Sequence, residues 1–202
     1  MIDPDHPYFF LEPLFGREGA VFHFSRYVYT PDSLFDDRHL LELSGQDLTL
    51  DWLERSIREL KPDQELAIHS TVNIAGRTWH IPMIDFVAHQ IEPRQLDRIR
   101  AFLPSGLFAT FAFYHSGRSF HAYSTNLLAP KDWLGFLGRT LLINPPDGDQ
   151  IVDARWVGHR LIAGYCSLRF SNNSHRYLGM PRRIGIRSIV ENRVPSSADV
   201  LR

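Results

Sequence analysis

The chain has 202 residues, of which 44% are hydrophobic and 22% are charged, and its formal net charge is -1 at pH 7. These values are typical of a globular protein with one domain and a sizeable core. A net charge near zero argues against a protein that covers nucleic acid through charge attraction alone. The single cysteine, Cys166, excludes an internal disulfide and a cysteine-based zinc cluster, and it is compatible with a reducing compartment.

The N-terminal segment contains acids and prolines in place of a basic region and a long apolar run. No stretch of the sequence is long and apolar enough to predict a membrane span. We therefore expect a cytoplasmic protein that does not contact a membrane. Residues 1–19, rich in proline and aromatic residues, predict an irregular arm packed on the domain.

Alternating apolar and polar residues predict a strand over Ala20–Thr30, and a connector follows over residues 31–45. Thr49 is a typical N-cap, and the apolar residues after it recur at helical spacing until Pro62. This part of the chain therefore predicts one strand and one helix, which we assign to an N-terminal α/β flank over residues 1–64.

The middle of the chain alternates between strand and helix patterns. Residues 65–74 and 78–87 predict two strands joined as a hairpin. Pro93 and Pro130 each suit the first turn of a helix, and apolar residues follow both at helical spacing. The interleaved helices and hairpins indicate an α/β (α+β) fold with a mixed sheet and flanking helices. We expect its core to cover residues 65–190, ahead of a polar tail over residues 191–202.

A second hairpin is predicted around the turn Ser116-Gly117-Arg118. A Phe-rich strand over Leu107–Tyr114 precedes this turn, and a short strand follows it. Side chains two apart share a face, so this second strand groups Ser119, His121 and Tyr123. A hydroxyl, an imidazole and a guanidinium beside a glycine turn suit phosphate oxygens. The hairpin is therefore the predicted centre of the site.

Two aspartates are candidates for metal ligands. Asp85 lies near the end of an apolar strand, and Asp153 follows the β-branched pair Ile151-Val152. A strand end fixes a carboxylate while leaving it open to a hydrated cation. The alternative for each is structural, because aspartates at such positions also cap turns and strands.

The strongest charge asymmetry lies between Asp153 and Arg187. This segment has seven Arg, no Lys and one acid, so it carries +6 while the remaining residues sum to -7. Aromatic residues are interleaved with the arginines, which favours nucleic acid over an acidic protein partner or a solvated face. The candidate contacts are Arg155, Arg160, Arg176 and Tyr177.

The order of these motifs resembles the archaeo-eukaryotic primase superfamily, which includes primase-polymerases. The matching elements run from Asp85 through Ser116-Gly117-Arg118-Ser119-Phe120-His121 and Val152-Asp153 to Ser167-Leu168-Arg169, and the resemblance covers roughly residues 65–185. It implies an RRM-like catalytic sheet flanked by further α/β structure. It also implies a nucleotidyltransferase that acts in DNA replication or repair, with a nucleoside triphosphate and a DNA or RNA template as ligands.

The resemblance also implies roles for individual residues. Asp85 and Asp153 would bind Mg²⁺ or Mn²⁺, and together with His121 they would form the catalytic set. The nucleotide would contact a set of residues drawn from two motifs: Ser116, Gly117, Arg118, Ser119, His121 and Arg169. Partner protein subunits are a further expectation, since a chain of this length has no zinc-binding or helicase-like module.

One position departs from the family pattern. The superfamily carries a second carboxylate two residues after the first, and here that residue is Val87. Two cations about 3.5–4 Å apart need several carboxylate oxygens to offset their repulsion. Three functions follow as alternatives: an active nucleotidyltransferase, a degenerate subunit that binds nucleotide or nucleic acid, and a metal-dependent phosphodiesterase.

Overall fold

Nine strands form two antiparallel sheets in the part of the chain that the computed structural model describes, residues 1–30, 33 and 37–185. The strands are β1 (Ala20–Val28), β2 (Arg38–Ser44), β3 (Gln64–Ile74), β4 (Arg77–His80), β5 (Met83–Asp85), β6 (Phe111–His115), β7 (Phe120–Ser124), β8 (Ser167–Arg169) and β9 (Arg182–Ile184). The helices are α1 (Pro7–Phe15), α2 (Leu50–Arg58), α3 (Pro93–Phe102), α4 (Ser105–Phe108), α5 (Pro130–Ile143) and α6 (Ala154–Ala163).

The first sheet has the order β2-β1-β3-β4, and β8 also pairs with β3. The strand predicted to start at Ala20 is confirmed as β1, which pairs with β3 from Ala20 to Val28 around a register shift between Phe22 and Phe24. The predicted hairpin is confirmed as β3 and β4, and Ala75 and Gly76 both adopt positive φ in its turn. The N-terminal flank therefore contributes an inner strand to the sheet that carries β3 and β8.

The second sheet has the order β5-β7-β6-β9. The predicted strand over residues 78–87 is wrong as one element, because the chain leaves the first sheet after His80 and enters the second at Met83. Pro82, which cannot donate to a ladder, lies at this crossing. The central hairpin is confirmed as β6 and β7, but its first strand begins at Phe111 because Leu107 lies in α4.

The regular elements that the sequence analysis did not predict include α1, β2, α4, α6 and β9. The expected irregular arm contains α1, where the His6 side chain caps Tyr8 N and a row of residues including Leu11 and Leu14 is buried. The expected connector contains β2, and the basic segment contains α6. Helix α6 begins at the N-cap Asp153 and ends at Gly164, whose φ is +77°.

The helices with clear start signals are where the sequence predicted them. Thr49 Oγ1 accepts a hydrogen bond from Trp52 N at the start of α2, and Pro93 and Pro130 open α3 and α5. Apolar side chains from both sheets and from the helices form one buried cluster. The α+β class with flanking helices is thus confirmed, with the strands shared between two antiparallel sheets. None of the described helices has the length and apolar character needed to cross a bilayer.

Candidate active site

A cleft of about 710 Å³ brings together the predicted site residues from both sheets and from α6. Its walls include eleven of the twelve positions singled out in the sequence: Asp85, Ser116, Arg118, Ser119, His121, Asp153, Arg155, Arg160, Arg169, Arg176 and Tyr177. The twelfth, Gly117, lies in the turn between two of them. Residues that are far apart in the chain thus share one cavity, while their chemical roles stay predictions.

Two backbone pairings bring the two aspartates and His121 together. Asp85 lies opposite His121 in the ladder between β5 and β7, and His121 Nε2 is 3.7 Å from Asp85 Oδ1. On the other side, Asp153 N donates to Asp85 O over 3.0 Å. The 3.7 Å separation is too long for a direct hydrogen bond. The carboxylate and the imidazole therefore face each other without being bonded together.

Burial and charge shift the pKa values of both groups. The pKa of Asp85 is raised to about 8, first by desolvation and then by the charge of Asp153, while the charges of Arg169 and Arg160 lower it. Burial, followed by the charge of Arg169, lowers the pKa of His121 well below its ordinary value. In the ligand-free site, burial therefore favours the protonated form of Asp85 and the neutral form of His121. Within the described residues, the buried Nδ1 of His121 has no hydrogen-bond partner.

The turn between β6 and β7 is closed by its own backbone. Ser116 N donates to Ser119 O over 2.9 Å, and the two hydroxyl oxygens lie 3.4 Å apart. Arg118 is exposed, while its carbonyl accepts a hydrogen bond from His89 Nδ1. Gly117 has φ +112°, and a Cβ there would lie 3.1 Å from Leu178 N. The turn is thus held in one shape with its hydroxyl pair beside the cleft.

Arg169 lies at the floor of the cleft and is 4% exposed. Its guanidinium donates to the carbonyls of Ser116, Ser171 and Gly179, and it stacks over the Tyr177 ring at 3.9 Å. The predicted phosphate contact stays a prediction. The present geometry shows Arg169 joining the Ser116 turn to the segment after β8.

Helix α6 carries further predicted residues in different environments. Asp153 Oδ1 accepts a hydrogen bond from Trp156 N over 2.9 Å, so one carboxylate oxygen caps the helix. Arg160 is buried, and its Nη1 donates to Ser167 Oγ over 2.6 Å. Arg155 is exposed at the cleft. Asp153 therefore has the structural role that the sequence left open, as the N-cap of α6. This role uses one carboxylate oxygen and leaves the other for a ligand.

The structure adds a wall that the sequence analysis did not include. It consists of residues from the end of β1 and the start of β2: Tyr27, Val28, Tyr29, Thr30, Ser33 and Arg38. Three histidines, His89, His159 and His175, also line the cleft. No local motif marks these residues, since their position depends on the pairing of β1 with β3.

The cleft can offer two carboxylates to a divalent cation. Asp85 is supplied from β5 and Asp153 from the start of α6, and Val87 is 42% exposed at the position where a further carboxylate was expected. Across the described residues, no group of three or more His, Cys, Asp or Glu side chains is arranged to hold a metal ion. Mg²⁺ is commonly held by one or two carboxylates plus substrate phosphates. The donor set therefore fits one cation that arrives with a triphosphate.

The two sheets and their shared cleft define an α+β protein with a basic, carboxylate-containing site. The sequence matches a family model described as archaeo-eukaryotic primase 1D-like (AEP-like) over residues 44–182. The chain therefore belongs to this primase-like family. No curated protein matches the sequence.

Gly117→Ala should destabilise the protein by about 1–3 kcal/mol and weaken any ligand held by the turn, because an alanine is strained at this φ and crowds Leu178. The matched control is Gly148→Ala. Gly148 has φ +109° but only Pro145 Cγ at 3.9 Å, and it does not line the cleft. Denaturant unfolding and triphosphate binding of both variants test this. Equal binding losses in the two variants would contradict a role for the turn.

Proposed function

We propose that the cleft binds a nucleoside triphosphate with one divalent cation, and that it transfers a nucleotidyl group to a nucleic-acid 3′-hydroxyl. Membership of the primase-like family supports a function of the primase type, related to nucleotides and nucleic acid. The observation that carries the finer proposal is the single cleft shared by Asp85, His121, Ser119 and Asp153. Arginines on the same walls match the charge of phosphates.

The triphosphate would contact the turn between β6 and β7. The Ser116 and Ser119 hydroxyls are donors, and the exposed Arg118 guanidinium offers a planar charged fork. Burial favours the neutral form of His121. A neutral imidazole can donate one N–H to a phosphate oxygen without forming an ion pair with Asp85. These residues would orient the α-phosphate toward the attacking hydroxyl.

In the transfer step, the 3′-hydroxyl loses its proton to solvent water and its oxygen forms a bond to the α-phosphorus, while the bond between that phosphorus and the bridging oxygen of the leaving pyrophosphate breaks. A divalent cation held by Asp85, Asp153 and phosphate oxygens would supply charge to offset that on the phosphates. Burial favours the protonated form of the ligand-free Asp85, and this carboxyl group must be ionised to serve as a ligand. Buried Arg160 and Arg169 favour the ionised form.

An extension assay tests the proposal. We expect the protein, with template, labelled triphosphates and Mn²⁺, to give extended or de novo product, and we expect His121→Ala to abolish both product and triphosphate binding. The matched control is His80→Ala, which removes a histidine of similar burial that lies outside the cleft.

Two other outcomes would contradict nucleotidyl transfer. Triphosphate binding that is lost in His121→Ala, without any product, would indicate a binding subunit. Cleavage of the template without added nucleotide would indicate a phosphodiesterase.

Mn²⁺ binding to the nucleotide-free protein should strengthen as the pH rises toward about 8, the pKa of Asp85. Below that pKa the cation must displace a proton, so its affinity should fall about tenfold for each pH unit. Calorimetry in buffers of different ionisation enthalpy measures both the affinity and the released proton. Asp85→Asn should remove most of the binding and its pH dependence. A steep pH dependence that persists in Asp85→Asn would assign the proton to another group.

The exposed valine at position 87 favours a second candidate function, a primase-like subunit that binds nucleotide without efficient transfer. Two catalytic cations need more carboxylate oxygens than Asp85 and Asp153 provide. The cation that travels with the triphosphate depends less on the protein, because the phosphates contribute ligands of their own. More groups of the site therefore support triphosphate binding than support nucleotidyl transfer.

Val87→Asp should tighten Mn²⁺ binding by about tenfold and raise any synthesis, because it restores a carboxylate beside Asp85. Val28→Asp is the matched control, since Val28 is an exposed valine on the β1 wall of the same cleft. It adds equal charge to the cavity at a different place. Comparable gains from the two variants would indicate a general charge effect and contradict the assignment of position 87.

A further inference from the structure

Glu65 is a fully buried carboxylate that neither the family motifs nor the proposed mechanism uses. It lies in β3 and is 0% exposed. No Lys, Arg or His forms an ion pair with it within the described parts of the chain. A buried carboxylate normally requires a cation or a dense set of donors. The groups that donate hydrogen bonds to the Glu65 carboxylate therefore indicate the role of this residue.

Among the described residues, every hydrogen bond that the Glu65 carboxylate accepts comes from one short segment more than 100 residues away in sequence. Asn173 N donates to both carboxylate oxygens at 3.0 and 3.1 Å, and Ser174 donates to Oε1 through its N at 2.8 Å and its Oγ at 2.6 Å. The Ser171 hydroxyl donates to Oε2. One carboxylate thus satisfies four donors of residues 171–174.

The anchored residues lead directly into the wall of the cleft. His175, Arg176 and Tyr177 come next, and all three line the cavity. His175 has φ +56°, a backbone conformation that a non-glycine residue adopts only when its surroundings hold it. Beyond Tyr177, the Arg169 guanidinium holds the carbonyl of Gly179. The segment 171–179, which we call the arch, is therefore fixed at both ends by buried charged groups.

We propose that Glu65 is a positioning residue that holds the arch in place, so that Arg176 and Tyr177 face nucleic acid in the cleft. This inference rests on the proposed function for its ligand, and on the hydrogen bonds of Glu65 for its geometry. Arg176 is exposed at the cleft, and Tyr177 stacks under Arg169 at 3.9 Å. Glu65 acts through the arch and touches no ligand itself.

The first test is limited trypsin digestion of the folded protein, read by mass spectrometry. Glu65→Gln keeps the volume of the side chain but replaces one acceptor oxygen with an NH₂ donor. This NH₂ group then lies against N–H and O–H donors of the arch, from which it cannot accept a hydrogen bond. We expect cleavage after Arg176 to accelerate roughly tenfold, because local opening controls proteolysis. Glu59→Gln is the surface control, since Glu59 pairs with Arg26 at 3.1 Å and is 56% exposed. It should leave cleavage after Arg176 unchanged.

A stability control separates the arch from the fold as a whole. Leu53→Ala removes a buried side chain of α2, a helix outside the arch, and should lower the melting temperature of the entire protein. Each variant is digested at the same number of degrees below its own melting temperature. Under these conditions trypsin should cut Glu65→Gln after Arg176 faster than it cuts Leu53→Ala there. Equal rates would overturn the proposal, because Glu65 would then contribute only to global stability.

The second test measures binding of a fluorescent oligothymidine in a double-mutant cycle. We expect Glu65→Gln and Arg176→Ala each to raise the Kd roughly tenfold, and the double variant to be little weaker than Arg176→Ala alone. Mn²⁺ binding should change less than twofold in Glu65→Gln, since both aspartates are left intact. Fully additive losses of oligothymidine affinity would overturn the proposal.

If the wild-type protein binds no oligothymidine, the nucleic-acid part of the proposed function fails and Arg176 and Tyr177 have no such ligand to face. The trypsin comparison then still decides whether Glu65 holds the arch. The two failures are therefore distinguishable.

Discussion

The candidate site depends on one backbone hydrogen bond, from Asp153 N to Asp85 O over 3.0 Å. Beside it, Phe86 and Val152 form an isolated bridge, and across β5 the ladder sets Asp85 opposite His121. Backbone pairings thus bring three polar residues together before any side-chain contact is made. Because these pairings are part of the folded sheet, the positions of the side chains are set in advance and need no ligand to create them.

Grouping two carboxylates in a partly buried cleft is unfavourable for the protein alone. Desolvation and the charge of Asp153 both raise the pKa of Asp85, whereas two buried arginines, Arg160 and Arg169, lower it. Both arginines are held by hydrogen bonds to protein oxygens, so they act as fixed charges at the base of the cleft. In the proposed function, the ligand would bring positive charge near Asp85 and negative charge near the two arginines.

Local signals in the sequence were sufficient for some elements and insufficient for others. The N-cap Thr49 and the helix-opening Pro93 mark their helices directly, and the motifs singled out in the sequence line one cleft, while the roles of their residues stay predictions. Helix α6 was missed because the charge and aromatic content of its segment hid its N-cap, Asp153, and its C-terminal Gly164. The β1 wall and the role of Glu65 could not be predicted, because each depends on contacts between residues far apart in the chain.

The valine at position 87 separates two capacities that one site usually combines. In the proposed function, binding a triphosphate would draw on the turn between β6 and β7, on the surrounding arginines and on the oxygens of the phosphates themselves, and none of these includes position 87. Activating a 3′-hydroxyl with a second cation requires protein oxygens beside Asp85, where an exposed apolar side chain now lies. In the proposed function, a valine at position 87 would therefore weaken the chemical step more than the binding step. Such a cleft would bind the proposed triphosphate while transferring its nucleotidyl group slowly.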